Sequence, residues 1–234
     1  MAEKGSSKSS KSGKAGSAAR LDRAQVAETA LRLLNDTGLD GLSLRRIAKE
    51  LNVQAPALYW HFKSKQELLD EMATLLQREL DAQPGPAEDA DWRERLSDPC
   101  RRLRRLLLGY RDGAKVFAGT RLSGTEHAPG QEEHLRALVE AGFTPAAAAR
   151  ASAVAYTFTM GFVTEEQGVH PLPGERRPGY EVEERERRLA PEHPLAAQVS
   201  AELFGNYEER FEEGLAAVVA GIGATMLKPE EGRG

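Results

Sequence analysis

The most chemically loaded stretch of this sequence is Leu58-Tyr59-Trp60-His61-Phe62-Lys63-Ser64-Lys65. Successive residues on a helix point about 100° apart, so Tyr59, Trp60 and His61 cannot all face one core, and at least one is exposed. A phenolic hydroxyl, an imidazole and two following ammonium groups are donors that hold phosphate oxygens and fix a protein's register on a duplex. Catalysis has no comparable foothold. The chain contains no G-x-S-x-G, no H-E-x-x-H and no phosphate-binding glycine loop, whereas a catalytic site needs a nucleophile, a base and a group to hold developing charge. Of the 5 histidines, His127 and His134 are spaced to share a helix face, but His127 sits beside Pro129 and Gly130 in a segment that reads as loop. A non-enzyme without metal or cofactor is expected.

Those donors need a frame, and apolar periodicity supplies one. A helix is predicted over 22–37, with Val26, Ala30, Leu31, Leu33 and Leu34 on one face, a capping pair of Asp22 and Gln25, and an end at Thr37-Gly38. Ser43 is the natural N-cap of a second helix over 43–52, whose Leu44, Ile47, Ala48 and Leu51 form its apolar side before the break at Asn52-Val53. A short third helix over 54–62 carries Pro56 in its first turn. Ser64 and Glu67 form a capping box that opens a fourth, with Leu68, Leu69, Met72, Leu75, Leu76 and Leu80 recurring at helical steps until Pro84-Gly85-Pro86. Helices two and three, joined by a tight break, make a helix-turn-helix whose second member is sized for a major groove. By spacing alone, a purely structural triplet would look the same.

Helical patterning continues over 90–109, 111–119, 130–141, 145–167 and 198–227, with a cap-plus-proline start at Thr144-Pro145. No stretch alternates with a period of two, so the expected fold class is all-α. Residues 171–194 hold 5 of the 12 prolines amid dense charge and read as a long exposed loop with room for one short helix. The uncharged stretches 151–163 and 215–227 are apolar on most faces and should be buried on most faces. Two readings fit them: one internal core, or a four-helix interface between two copies of the chain.

Charge is divided along the chain. Residues 1–66 carry 12 Lys/Arg against 6 Asp/Glu, and the remainder 20 against 30, so a basic module is joined to an acidic body. The basic end suits phosphates, although four of its lysines lie in the Ser/Gly-rich tail over 1–19, which is expected to be disordered. The single cysteine, Cys100, allows no internal disulfide and fits a reducing, cytoplasmic setting. The apolar run 215–227 is shorter than the roughly 20 residues of a membrane-spanning helix, so no membrane association is expected.

The run GLDGLSLRRIAKELNVQAPALYWHFKSKQELLD resembles the DNA-binding domain of the TetR family of transcriptional repressors. Tyr110 to Val116, Gly119-Thr120-Arg121, Thr159-Met160-Gly161 and Glu165-Glu166-Gln167 resemble the C-terminal domain of that family's tetracycline-responsive subgroup. The resemblance implies a DNA-binding domain over 20–66 and a ligand-binding and dimerisation domain over 67–234. It also implies a homodimer on a palindromic double-stranded operator and release by a small-molecule effector.

Carried over by position, the resemblance puts Arg45 on a guanine edge, for which its fork is suited. It puts Pro56 and Tyr59 on DNA, and His61 and Lys65 on phosphates. Ser43, Leu44, Gln54, Ala55, Ala57 and Trp60 complete the expected DNA-facing set. Ala55 and Ala57 depart from the glutamine and threonine of tetracycline-responsive members; they can meet a thymine methyl but cannot hydrogen-bond, which implies a different operator. A related chain that had lost DNA binding would not need Arg45, Tyr59, His61 and Lys65.

At the ligand end the subgroup holds magnesium-tetracycline through a histidine after the RDGAKV motif, and Phe117 stands there instead. An aromatic ring cannot ligate a hard cation. Thr120 and Glu165 match retained site positions, while Asp81 and Pro99 replace a histidine and an asparagine. The expected effector is therefore an aromatic or polyketide-like molecule rather than magnesium-tetracycline. Its expected contacts are Asp81, Leu103, Phe117, Thr120, Arg121, His134, Leu135, Phe158, Phe162 and Glu165. The three phenylalanines would equally serve as core packing.

Overall fold

The computed structural model describes residues 22–122 and 124–227. Among them are 12 helices and no strand, an all-α fold. The basic tail over 1–19 lies outside the described residues.

The first helix, α1 (Arg23–Gly41), starts on Asp22, whose side chain accepts from the Gln25 N–H, and is interrupted where the sequence places its end: Gly38 sits at φ 65, ψ 175. That conformation belongs essentially to glycine. α2 (Leu44–Glu50) is capped by Ser43, and α3 (Ala55–Tyr59) follows a turn in which Asn52 adopts a left-handed φ of 53. Asparagine tolerates that geometry better than most residues. α4 (Lys65–Asp81) opens on the predicted Ser64 cap. Val26, Leu34, Ile47, Leu58, Phe62, Leu68 and Met72 fill one core with almost no exposed surface, so the α2–α3 angle is fixed by burial.

The body comprises α5 (Trp92–Leu108), α6 (Gly113–Phe117), α7 (Ala128–Glu140), α8 (Pro145–Val169), α9 (Val182–Leu189), α10 (Pro194–Gln198), α11 (Ser200–Phe204) and α12 (Tyr207–Met226). The helix expected over 198–227 is divided into α11 and α12, with Gln198 left as the last residue of α10. Asn206 is left-handed at φ 49, and a Cβ on Gly205 would lie 2.8 Å from the Ala201 carbonyl. The helix expected over 111–119 shrinks to the five residues of α6 because Asp112 is also left-handed, at φ 56. The charged segment over 171–194 carries one short helix, α9.

α8 packs on α5, α6, α7 and α12. Arg104 of α5 is only 5% exposed; it makes a bidentate pair with Glu166 of α8 at 2.8 and 2.9 Å, bonds Glu208 of α12, and lies over the Phe211 ring. Removing one partner of such a buried pair typically costs about 3–5 kcal/mol. Burial of the two apolar stretches is one-sided within a single chain. Ala151, Ala155, Leu215, Val219 and Ile222 are buried, while Ala153, Val154, Gly161, Ala216, Ala217, Ala220 and Gly221 are exposed. The expectation of burial on most faces thus fails for the isolated chain, because these helices also carry a small-residue face directed to solvent.

Candidate nucleic-acid interface and ligand cavity

The helix expected over 54–62 is cut short, α3 ending at Tyr59 with Trp60 and His61 in the turn that follows, and the aromatic run is split between core and surface. Trp60 is 87% exposed and Tyr59 53%, His61 is half-buried, and Leu58 and Phe62 on either side are buried. Arg45, Ser43, Gln54, Pro56 and Lys65 are exposed; Leu44, Ala55 and Ala57 are half-buried, with Leu44 and Ala55 packed against the core. Ser43 also caps α2, its hydroxyl accepting from the Arg46 N–H at 3.3 Å. The Lys65 ammonium donates to the Leu39 carbonyl at 2.9 Å. Sequence reasoning did not find Arg23. Its guanidinium pairs with Glu71 at 3.1 Å, donates to the His61 carbonyl and covers the Phe62 ring at 4.4 Å, tying the end of α3 to α1 and α4. These partners lie 38 and 48 residues away, so no local pattern marks it.

A cavity of about 840 Å³ lies between α4, α5, α7, α8 and the segment after α6. That volume is within the range usual for small-molecule sites. Leu80, Leu96, Leu103, Phe117, Leu122 and Tyr156 supply apolar wall, and Asp81, Arg95, Arg102, His134 and Ser152 supply polar groups. Of the residues expected to meet a ligand, Asp81, Leu103, Phe117 and His134 line it, as does Pro99.

The others lie elsewhere. The Thr120 hydroxyl donates to the Phe117 carbonyl at 2.8 Å, and the Arg121 N–H donates to Asp70 at 3.1 Å. Leu135, Phe158 and Phe162 pack into the second core, with Phe158 and Phe162 against Phe211 at ring separations of 5.7 and 5.3 Å. Helical phase decides this: Ser152, Ala155 and Tyr156 face the cavity, and the two phenylalanines lie around α8 toward α12. Glu165 is on the exposed face of α8.

His134 Nε2 lies 2.9 Å from the Ser152 hydroxyl, which itself donates to the Ala148 carbonyl at 2.9 Å. Burial, and then the positive charges of Arg95 and Arg102, push the imidazole pKa below its ordinary value and keep the ring neutral. Burial likewise pushes the Cys100 thiol up, so this cavity-lining thiol stays protonated.

At the other end of α6 a cluster of hydrogen bonds reaches the DNA-binding helices. Asp112 accepts from the Leu39 N–H at 3.0 Å and pairs with Lys115 at 2.8 Å. The Arg111 N–H donates to the Asn35 side chain and its guanidinium to the Asn35 carbonyl, both at 2.8 Å. Gln167 of α8 donates to the Leu107 and Tyr110 carbonyls and accepts from the Ala114 N–H. A Cβ on Gly113 would stand 2.4 Å from the Leu107 carbonyl, so the RDGAKV glycine is required by packing.

The residues at this cavity do not match the magnesium ligands that the resemblance implies. Phe117 is buried apolar wall where a nitrogen ligand is needed, and Glu165 is outside the cavity. Among the described residues, no group of three or more His, Cys, Asp or Glu is placed to hold a metal.

Residues 26–72 match the model of the bacterial regulatory proteins of the tetR family, and residues 85–226, more than half of the chain, match the tetracyclin repressor-like C-terminal domain. The chain belongs to the TetR family. It is 41% identical to the tetracycline repressor protein class A from transposon 1721 of Escherichia coli over 203 residues, which are 86% of this chain and 90% of the relative. A possible TetR family transcriptional regulator from Streptomyces coelicolor A3(2) superimposes with a TM-score of 0.75 at 37% identity, covering 87% of this chain and 99% of that one. The Streptomyces coelicolor TetR family protein ActR, solved in complex with actinorhodin, superimposes with a TM-score of 0.72 at 27% identity, covering 88% and 98%. The chain is thus a DNA-binding transcriptional regulator of a ligand-responsive repressor family, and its relatives are regulators rather than enzymes. No helix among its described residues is long and apolar enough to cross a membrane.

Proposed function

We propose that this regulator works as a homodimer that occupies a palindromic operator and leaves it when a small aromatic or polyketide-like effector, other than magnesium-tetracycline, enters the cavity. The observation that carries this reading is the position of α6. Phe117 at one end is cavity wall, while Asp112 at the other holds the Leu39 N–H just past the Gly38 break in α1. A ligand that displaces Phe117 therefore acts on the support of the DNA-reading helices. Coupling of this kind typically amounts to about 1–3 kcal/mol, or 5- to 150-fold in affinity.

The unpartnered small-residue faces of α8 and α12 support a two-fold four-helix interface, because small side chains allow close approach and a two-fold axis joins like faces. Two such protomers would present two α3 helices, suited to half-sites about one helical turn apart or a multiple of it. In this reading residues 20–66 are the DNA-binding domain and 67–234 the ligand-binding and dimerisation domain. Arg45, Tyr59, Trp60, His61 and Lys65 form the centre of the DNA surface. The ActR complex with actinorhodin supports a bulky organic effector for a cavity of this size.

Footprinting of the purified protein over its own upstream region should protect a palindrome, and sedimentation should give twice the chain mass. Material extracted from the producing cells should abolish protection, whereas magnesium-tetracycline should leave it intact. A monomer, an asymmetric footprint or release by magnesium-tetracycline would refute the proposal.

A further inference from the structure

We propose that the effector is an acid: an apolar, ring-bearing molecule whose carboxylate or ionised phenol docks on the Arg95 guanidinium, next to His134. The inference rests on the reading of the 840 Å³ cavity as the effector site and adds the charge of its occupant.

Arg95 and Arg102 both line the cavity from α5, yet their surroundings differ. Arg102 is balanced by Asp98 at 2.7 Å and also donates to the Leu80 carbonyl. Arg95 donates from Nε to the Ala90 carbonyl at 3.0 Å and from Nη2 to the Glu88 carbonyl at 2.6 Å, and among the described residues no carboxylate pairs with it. Backbone carbonyls orient the guanidinium without neutralising it, and among the described residues the rest of its planar fork makes no hydrogen bond. A half-buried cation in an apolar recess gains from an incoming anion, and a guanidinium is shaped to take a carboxylate with two parallel bonds. The acidic residues of the cavity do not fill this role. Asp81, Glu126 and Glu133 are exposed, where water screens them, and Glu126 is paired with Arg78 at 3.3 Å.

His134 completes the recognition. Because the Ser152 hydroxyl gives its only proton to the Ala148 carbonyl, His134 Nε2 must carry the hydrogen between His134 and Ser152, which leaves Nδ1 as an acceptor. Held neutral by burial and the adjacent arginines, the ring can take a hydrogen bond from a ligand hydroxyl but adds no positive charge. An acidic group for Arg95 and a hydroxyl for His134, on an apolar frame against Phe117, Leu96 and Leu103, is the pattern of a hydroxy-aromatic acid.

The test compares anthraquinone-2-carboxylate with its uncharged isostere anthraquinone-2-carboxamide, by calorimetry on the full chain and on Arg95→Gln. For the unsubstituted protein the carboxylate should bind at least tenfold more tightly, and in Arg95→Gln the preference should fall to threefold or less with carboxamide affinity retained. Equal binding of acid and amide to the unsubstituted protein overturns the acid inference while leaving the aromatic cavity standing. A preference that survives in Arg95→Gln overturns the role of Arg95. If neither probe binds the unsubstituted protein, the aromatic-effector reading fails and the inference falls with it. Should Arg95→Gln not fold, the acid-to-amide ratio in the unsubstituted protein still decides, with Arg95→Lys expected to keep most of the preference.

Discussion

The Asp112 carboxylate accepts a 3.0 Å hydrogen bond from the N–H of Leu39, 73 residues earlier in the chain, directly beside the glycine that breaks α1. A Cβ on Gly38 would lie 3.1 Å from the same carboxylate, so the two segments meet at contact distance. Burial works to raise the Asp112 pKa. The Lys115 ammonium, the Leu39 N–H and the charges of Lys115 and Arg177 outweigh it and hold the group below its ordinary value. Asp112 is therefore ionised at neutral pH, and the joint between the cavity helix and the DNA-reading helices is charged and hydrogen-bonded.

Cutting that joint should uncouple the two ends. Asp112→Ala is expected to bind operator as the unsubstituted protein does, while its effector-driven loss of operator affinity shrinks by about tenfold, or about 1.4 kcal/mol of coupling. Operator affinity measured with and without effector on both proteins checks this. An undiminished response would remove Asp112 from the relay.

Arg45 is exposed on α2, at the position where the resemblance places a guanine contact. Arg45→Ala should cost about 1–3 kcal/mol on the natural operator and relax the preference at one base pair per half-site. A competition assay against every single-base operator variant reads both effects, and an equal loss on random DNA would contradict base recognition.

Lys65 is exposed, and its ammonium donates to the Leu39 carbonyl. In contact with a phosphate it contributes counterion release, so Lys65→Ala should weaken binding to all sequences and reduce the salt slope by about one unit per protomer. Titrations at several salt concentrations give the slope directly, and an unchanged slope would exclude the contact.

His134 gives the cavity a pH signature. Its folded-state pKa is lowered, first by burial and then by Arg95 and Arg102, so the folded protein binds fewer protons than the unfolded chain between the two values. This contribution to stability is complete above the ordinary imidazole value of about 6.5 and is lost as pH falls through the lower folded value. His134→Gln should flatten the decline in urea midpoint between pH 7.5 and pH 5. A decline identical to that of the unsubstituted protein would place the responsible group elsewhere.

Much of the frame was legible in the sequence because it is local. The caps at Asp22, Ser43, Ser64 and Thr144 form as their side-chain chemistry requires, and the apolar spacing from Val26 to Leu80 yields four helices over one core. The run Tyr59, Trp60, His61 is too polar and too crowded to be wholly buried, and Trp60 and Tyr59 are the residues that emerge. Asp81, Phe117 and His134, which correspondence assigns to the ligand, line the cavity because helix register carries them there.

What it missed depends on distance and phase. Phe158 and Phe162 have the composition of a ligand wall but lie on the α12 side of α8. The helix over 198–227 reads as continuous because nothing local announces that Asn206 will turn left-handed. Arg23, Arg95 and Arg104 look alike as charged helix residues. Tertiary packing alone makes the first a brace for α3, the third a buried ion pair, and the second a half-buried cation held by two carbonyls. The sequence by itself determined the helices, their caps and the chemistry available for DNA. Only the tertiary structure decided which groups are neutralised and which face the cavity, because both depend on partners brought together from distant parts of the chain.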